Sequence, residues 1–286
     1  MEEMVLSYFT KDESFPLFIQ YGKHDESLFV HTHKDFSELV IVTRGSAYHI
    51  VDEEKFYIKK GDVFVISNDT AHGYEEAEDF RICNIMYRAD KLLNPDYDIK
   101  KNAGFHALFI LEPYITREHS FRSRLSLNLK DFEKIYAVID FMHTEFETKA
   151  DGWKTVLQAN FMTLVVMLSR LYSFDSSFKK NDIINIAKSI SYMEKHYTEN
   201  ITIDALAEIS FYSPRHFTRI FNETFHTTPL NYIITLRVNR ACSLLRESRL
   251  TISEIAFQCG FTDSNYFSRI FKKKTGLTLR QFRDSE

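Results

Sequence analysis

Cysteine is scarce in this chain: Cys83, Cys242 and Cys259 are its only three, and none sits in a Cys-x-x-Cys arrangement. An odd number leaves one thiol over in any disulfide scheme, which excludes a disulfide-stapled scaffold and points to a reducing, cytoplasmic setting. Long hydrophobic runs are missing too. No apolar stretch approaches the ~18 residues a membrane helix needs, so no membrane partner is expected. The longest candidate, FMTLVVML from Phe161 to Leu168, reads as one buried helix face. The opening MEEMVLSYF is acidic and has no basic region ahead of an apolar stretch, so it does not read as a signal peptide.

What is present is ordinary for a globular protein: 44% hydrophobic and 27% charged residues over 286 positions, a length that favours two domains. Aromatics reach 15%, with 26 phenylalanines, so ring-rich cores are expected. Charge is uneven along the chain. From position 181 onward there are 14 Lys and Arg against 11 Asp and Glu, whereas the remainder carries 22 against 29. A mildly basic back half behind an acidic front is compatible with a nucleic-acid-binding C-terminal domain.

The first ninety or so residues read as short strands. Leu39–Thr43, Ala47–Val51, Lys55–Ile58, Val63–Ile66 and Arg81–Tyr87 are β-branched or aromatic runs. Turn signals separate them at Arg44-Gly45-Ser46, Asp52-Glu53-Glu54, Lys60-Gly61-Asp62 and Ser67-Asn68-Asp69. Such spacing suggests a sandwich or barrel. Helical periodicity then takes over across Asp131–Thr148 and Lys154–Tyr172. The polar segment Ser173–Asp182 marks a domain boundary. The chain therefore divides into a barrel over 1–130, a helical segment over 131–175 and an all-helical part over 176–286.

That last part contains an internal repeat. Ile203, Leu206 and Ala207 return 49 positions later as Ile252, Ile255 and Ala256, and Phe217, Arg219, Ile220 and Phe221 return 50 later as Phe267, Arg269, Ile270 and Phe271. Each copy, about 202–225 and 251–275, reads as a helix, a tight turn and a second helix. Thr251 and Glu254 have capping-box spacing, Gly260 breaks the first helix of its copy, and Ser213-Pro214 opens the second helix of the other. On a helical wheel Phe217, Ile220, Phe221 and Thr224 oppose Arg215, Thr218, Arg219 and Asn222. In the second copy Phe267, Ile270 and Phe271 oppose Asn265, Ser268, Arg269 and Lys272. Arginine and asparagine can contact guanine and adenine edges bidentately in a major groove, and Lys272–Lys274 add phosphate-directed charge. A charged helix face is usually just solvated; the same layout appearing twice argues otherwise. A connecting helix opened by Thr228-Pro229 would span roughly 27 Å at ~1.5 Å per residue, which makes two units one DNA turn apart feasible.

Positions 183–283, and above all ISEIAFQCGFTDSNYFSRIFKKKTGLTLRQFR from Ile252 to Arg283, closely resemble the DNA-binding domain of AraC-family bacterial transcription regulators. The resemblance implies base-facing roles for Arg215, Thr218, Arg219, Asn265, Ser268 and Arg269. It also implies double-stranded DNA as partner, a homodimer built on the helices from Asp131 to Tyr172, and RNA polymerase as a further partner if the protein activates. Burial of those helices against their own barrel would look the same in sequence. Phe211 and His226 stand where the family usually has glycine, and Leu279 where it has proline.

In the front part, His31 and His33 share one strand face, Glu38 and Gly45 follow, and His72 lies eleven beyond Gly61. This spacing resembles the two motifs of the cupin barrel, with all four metal-ligating positions occupied, and many AraC-family regulators carry a cupin-like front domain that binds a small effector. The expected fold is thus α+β and multidomain: a cupin-like barrel with two helices, then two helix-turn-helix units joined by a long helix. Three readings of His31, His33, Glu38 and His72 stand side by side. They orient a small effector, a sugar by resemblance; they hold a divalent metal; or they bond only to one another and to neighbouring strands. No other cofactor is expected. An enzyme would need an acid, base or nucleophile beside the metal, and nothing selects Asp35, Tyr48 or Tyr57 for that role, so a sensor is the expectation. His49 and His106 lie in apolar surroundings and read as structural.

Overall fold

In a computed structural model the protein is described for residues 2–284, other than 11, 13–14, 25–27, 52–53, 67–69, 94–96, 112–123, 175–181, 226 and 249. It divides into two compact units, Met1–Ala187 and Lys188–Glu286. The boundary expected at Ser173–Asp182 and the turn at Ser67–Asp69 fall largely or wholly on residues outside those described. No helix among the described residues is long and apolar enough to cross a membrane.

The first unit is built on one eight-stranded sheet: β1 (Glu2–Met4), β2 (Leu17–His24), β3 (Leu28–His33), β4 (Ser37–Val51), β5 (Glu54–Lys59), β6 (Asp62–Ile66), β7 (His72–Tyr87) and β8 (Leu125–Ser126). β4 and β7 pair antiparallel along almost their whole length, and each has a second neighbour at either end: β6 and β5 for β4, β2 and β3 for β7. The sequence reading of two strands broken at Arg44-Gly45-Ser46 gives way here to one continuous strand. Gly45 bends it at φ +68° while the pairing register with β7 shifts around it. A Cβ on Gly45 would lie 2.2 Å from the Glu78 carbonyl oxygen, so only glycine lets the strands cross so closely.

Both faces of the central strands are buried, which is why Leu39–Val42 and Val63–Ile66 are unbroken apolar runs without alternation. One face, with Val40, Val42, Phe64, Tyr74, Phe80 and Ile82, forms a core cluster. The other lies under two helices, α1 (Leu129–Thr148) and α2 (Trp153–Phe174): Tyr87 packs on Phe161 at 5.0 Å and Tyr21 on His143 at 4.8 Å between ring centroids. Asn128 caps α1 by accepting a hydrogen bond from the Asp131 N–H. The apolar stripes of α1 and α2, considered from sequence for a dimer interface, are spent inside the unit: Ile135, Ile139, Met142, Leu157, Leu164 and Leu168 are fully buried. Tyr136 and Phe141 remain exposed on α1.

The second unit is helical: α3 (Asp182–His196, which begins just before it), α4 (Ile203–Ile209), α5 (Pro214–Phe225), α6 (Pro229–Glu247), α7 (Ile252–Gln258), α8 (Ser264–Thr275) and α9 (Leu279–Asp284). The repeat seen in sequence is a repeat in space. Leu206, Ala207, Phe217 and Phe221 are buried in one copy as Ile255, Ala256, Phe267 and Phe271 are in the other. Thr202, Thr228 and Asp263 cap α4, α6 and α8, and Thr251 with Glu254 forms a complete capping box on α7. The turns match as well: Gly260 has φ +85° and Phe211, its counterpart, φ +58°.

Candidate ligand pocket and nucleic-acid interface

Strand pairing gathers the front residues. β3 presents His31 and His33 two apart on one face, and His31 lies in register with His72 at the start of β7. Glu38, near the start of β4, pairs with Met86 of β7 and Ile66 of β6 and comes to the same cavity. All four are buried, at 1–5% exposure. His72 Nε2 lies 3.5 Å and His33 Nε2 3.8 Å from the same Glu38 Oε2, and the His31 and His72 rings are 4.3 Å apart. One nitrogen from each of His31, His33 and His72 can be chosen so that all lie within 4.8 Å of one another.

These side chains line one end of a cavity of ≈ 190 Å³, completed by Gln20, Asn84, Tyr74 and Gly22 with Met4, Phe9 and Met86 as apolar wall. At ~30 Å³ per water that is room for about six waters, or one small molecule. Sequence reading missed Gln20 and Asn84. The available signal was a lone amide in each of two otherwise apolar strands, LFIQY and ICNIM.

Burial would push the Glu38 carboxyl up, but the His72 contact and the neighbouring rings outweigh it and hold it below the ordinary carboxylate value. Burial drives His33 down to about 3, against the pull of Glu38. At neutral pH the pocket therefore offers one buried carboxylate beside a neutral imidazole. His72 Nδ1 faces the Thr70 carbonyl at 3.3 Å while its Nε2 faces Glu38. His33 Nδ1 and Asn84 Oδ1 are buried without a hydrogen-bond partner among the described residues. Of the two histidines set apart, His49 stacks between Phe64 and Tyr74 at 4.8 and 5.2 Å, with its pKa held well below the ordinary value by burial. His106 faces the Lys100 carbonyl at 2.6 Å.

In the second unit Arg215, Arg219, Asn265, Arg269 and Lys272 are exposed on α5 and α8, opposite the buried phenylalanines. Thr218 and Ser268 sit at equivalent places and donate their hydroxyls to the Pro214 and Ser264 carbonyls at 2.8 Å, leaving acceptor lone pairs outward. The copies differ in charge. Arg219 is held by both oxygens of Glu223 at 3.0 Å, whereas Lys273 occupies the corresponding place beside Arg269. The face of α8 is thus the more cationic and its arginine has no acidic neighbour one turn on.

The chain matches two family models: an AraC-like ligand binding domain over residues 15–121 and a helix-turn-helix domain over residues 206–285. It is similar to the HTH-type transcriptional activator RhaS of Klebsiella pneumoniae, 30% identical over 261 residues that span 90% of this chain and 88% of that one. The HTH-type transcriptional activator RhaR of Mannheimia succiniciproducens is 26% identical over 278 residues, 97% of this chain and 94% of that one. Among solved structures, the DNA-binding domain of the transcriptional factor AdpA in complex with a target DNA is 28% identical, with a TM-score of 0.34, covering 35% of this chain and 91% of that chain. With a ligand-binding sheet domain in front and a duplicated helix-turn-helix unit behind, the chain belongs to the AraC family and is a DNA-binding transcription regulator that responds to a small effector.

Proposed function

We propose that the front pocket binds a small carbohydrate through Glu38, His31, His33 and His72, with Gln20 and Asn84 as further contacts, and that its occupancy controls how the helical unit reads duplex DNA. The carrying observation is a pair of buried polar atoms without a hydrogen-bond partner among the described residues, His33 Nδ1 and Asn84 Oδ1, beside an ionised Glu38. A buried polar atom without a partner costs about 1–3 kcal/mol. Hydroxyls, which donate and accept at once, satisfy a mixed set of carboxylate, imidazole and amide better than a hydrocarbon or an anion does. On this reading Arg215, Thr218, Arg219, Asn265, Ser268 and Arg269 face bases, and Lys272 a phosphate. Binding leaves the sugar chemically unchanged.

The test is a thermal-shift screen of metal-free protein against a monosaccharide panel, repeated on Glu38→Ala. One sugar should raise the melting temperature of the front unit by several degrees, do nothing to the variant and be recovered intact. Stabilisation that persists in Glu38→Ala would reject the pocket, and a sugar recovered altered would reject a purely sensory role.

A second reading, a divalent metal at the same residues, is favoured by one observation, the convergence of three imidazole nitrogens within 4.8 Å. Three imidazoles suit a divalent ion as ligands, and Glu38 beside them would either complete the set or leave that place to an oxygen ligand. Stoichiometric metal in protein purified without chelator or histidine tag, lost in His33→Ala, would bring this reading forward.

The curated relatives are named activators, which favours activation and RNA polymerase as a further partner. The exposed Tyr136 and Phe141 on α1 are the aromatic groups that helix leaves to a second copy, which favours a homodimer; a cytoplasmic location goes with the free thiols.

A further inference from the structure

Between α3 and α4 the chain turns through Tyr197, Thr198 and Glu199, and this corner leads straight into the first helix-turn-helix unit, whose α4 is capped by Thr202. Two features from elsewhere in the same helical unit meet there. From the middle of α6, Arg237 donates from Nε to the Tyr197 carbonyl at 2.6 Å and from Nη2 to the Glu199 carbonyl at 2.8 Å. From the second helix-turn-helix unit, the turn at Gly260 presses on Thr198: a Cβ there would lie 2.5 Å from the Thr198 carbonyl oxygen and 2.6 Å from its Cα. Phe261, the next residue, stacks under the same guanidinium at 5.6 Å. A second strut runs parallel, from the Tyr232 hydroxyl on α6 to Glu194 on α3 at 2.6 Å.

The two units are therefore not held apart by the connecting helix alone. The turn of the second rests directly on the corner that launches the first, and Arg237 fastens that corner to α6 with two hydrogen bonds while packing on the second unit's aromatic ring. Its planar fork suits two carbonyls two residues apart, which a single ammonium cannot match.

We infer that Arg237 is a positioning residue for DNA recognition: by clamping the Tyr197–Glu199 corner between the two helix-turn-helix units it fixes the spacing and angle at which α5 and α8 meet successive half-sites. One inserted base pair displaces a half-site by about 3.4 Å and rotates it by about 34°, so a rigid reader rejects it and a loosened one accepts it. This rests on the DNA-binding role of the unit and concerns what sets half-site spacing within it.

The experiment starts from the full chain and a bipartite site selected from random duplex DNA. Affinity is then measured on that site, on versions with one or two base pairs inserted or removed between the half-sites, and on a duplex bearing one half-site alone. The intact protein should lose on the order of tenfold or more with each change of spacing, because the second contact forfeits its effective concentration. Arg237→Ala should lose on the order of tenfold on the natural spacing, bind all spacings within about threefold of one another and keep its single half-site affinity. Arg237→Lys, which retains the stem and one donor, should fall between. A spacing profile for Arg237→Ala and Arg237→Lys as sharp as that of the intact protein would overturn the inference, as would a parallel loss on single and double sites.

Discussion

Phe211 holds a left-handed backbone at φ +58°, a conformation costly for a residue with a bulky side chain, and its ring is 79% exposed, so little packing compensates. Phe211→Gly should therefore stabilise the helical unit by about 1 kcal/mol, read as a rise of several degrees in its melting temperature. An unchanged or lowered value would mean the ring contributes something its exposure hides. The same scale separates the two arginines at equivalent places in the repeat, Arg219 and Arg269. Arg269→Ala should relax base preference at one operator position by ~1–3 kcal/mol, measured on a set of single-base variants. Equal weakening on all sequences would reduce Arg269 to a phosphate contact. In the pocket, His31, His33, Glu38 and His72 were legible because strand geometry has a period of two and their spacing resembles a known barrel motif. Gln20 and Asn84 were not, since each is an isolated amide whose inward orientation depends on strand registers formed across the sheet.

At the level of elements, helix starts were readable because they are local. Thr202, Thr228 and Thr251 each receive the backbone hydrogen bond their capping positions imply. Strands were read less well. The Gly45 turn signal belongs to a bend in a fifteen-residue strand, because β7 pairs with both halves of β4 and no sequence window contains that partner. β1 and β2 lacked a signal for the same reason: their partners are β3 and β7, outside any local window. One short helical element carries a pH prediction. His106, opening the helical segment His106–Leu111, is kept neutral by burial, which lowers its pKa from 6.5 to about 4. The unfolded chain then takes up a proton below pH 6.5 that the folded chain refuses until about pH 4. Stability is complete above that window and is lost as pH falls through it, by on the order of 3 kcal/mol from this residue. Acid melts of His106→Gln, which keeps a neutral donor for the Lys100 carbonyl, should show a shallower decline across the window. An identical slope would assign the acid sensitivity to other groups.

For the whole molecule, the two-part organisation was visible as a change from strand-like to helical patterning, and the duplicated helical unit as a 49–50-residue repeat. The contact between the repeats was not visible. It depends on a glycine close to a backbone carbonyl and on an arginine reaching back 38 and 40 residues, neither of which leaves a periodic trace. Regulation requires the ligand to prefer one state of the protein, since equal affinity for both shifts nothing. The most direct test of the account is the affinity of the intact protein for its selected operator with and without the stabilising sugar, in parallel with Glu38→Ala. The sugar should change operator affinity at least severalfold in the intact protein and leave the variant at its sugar-free value, with basal binding preserved. Operator affinity indifferent to a sugar that demonstrably occupies the pocket would contradict the claim that this pocket governs the DNA-reading unit.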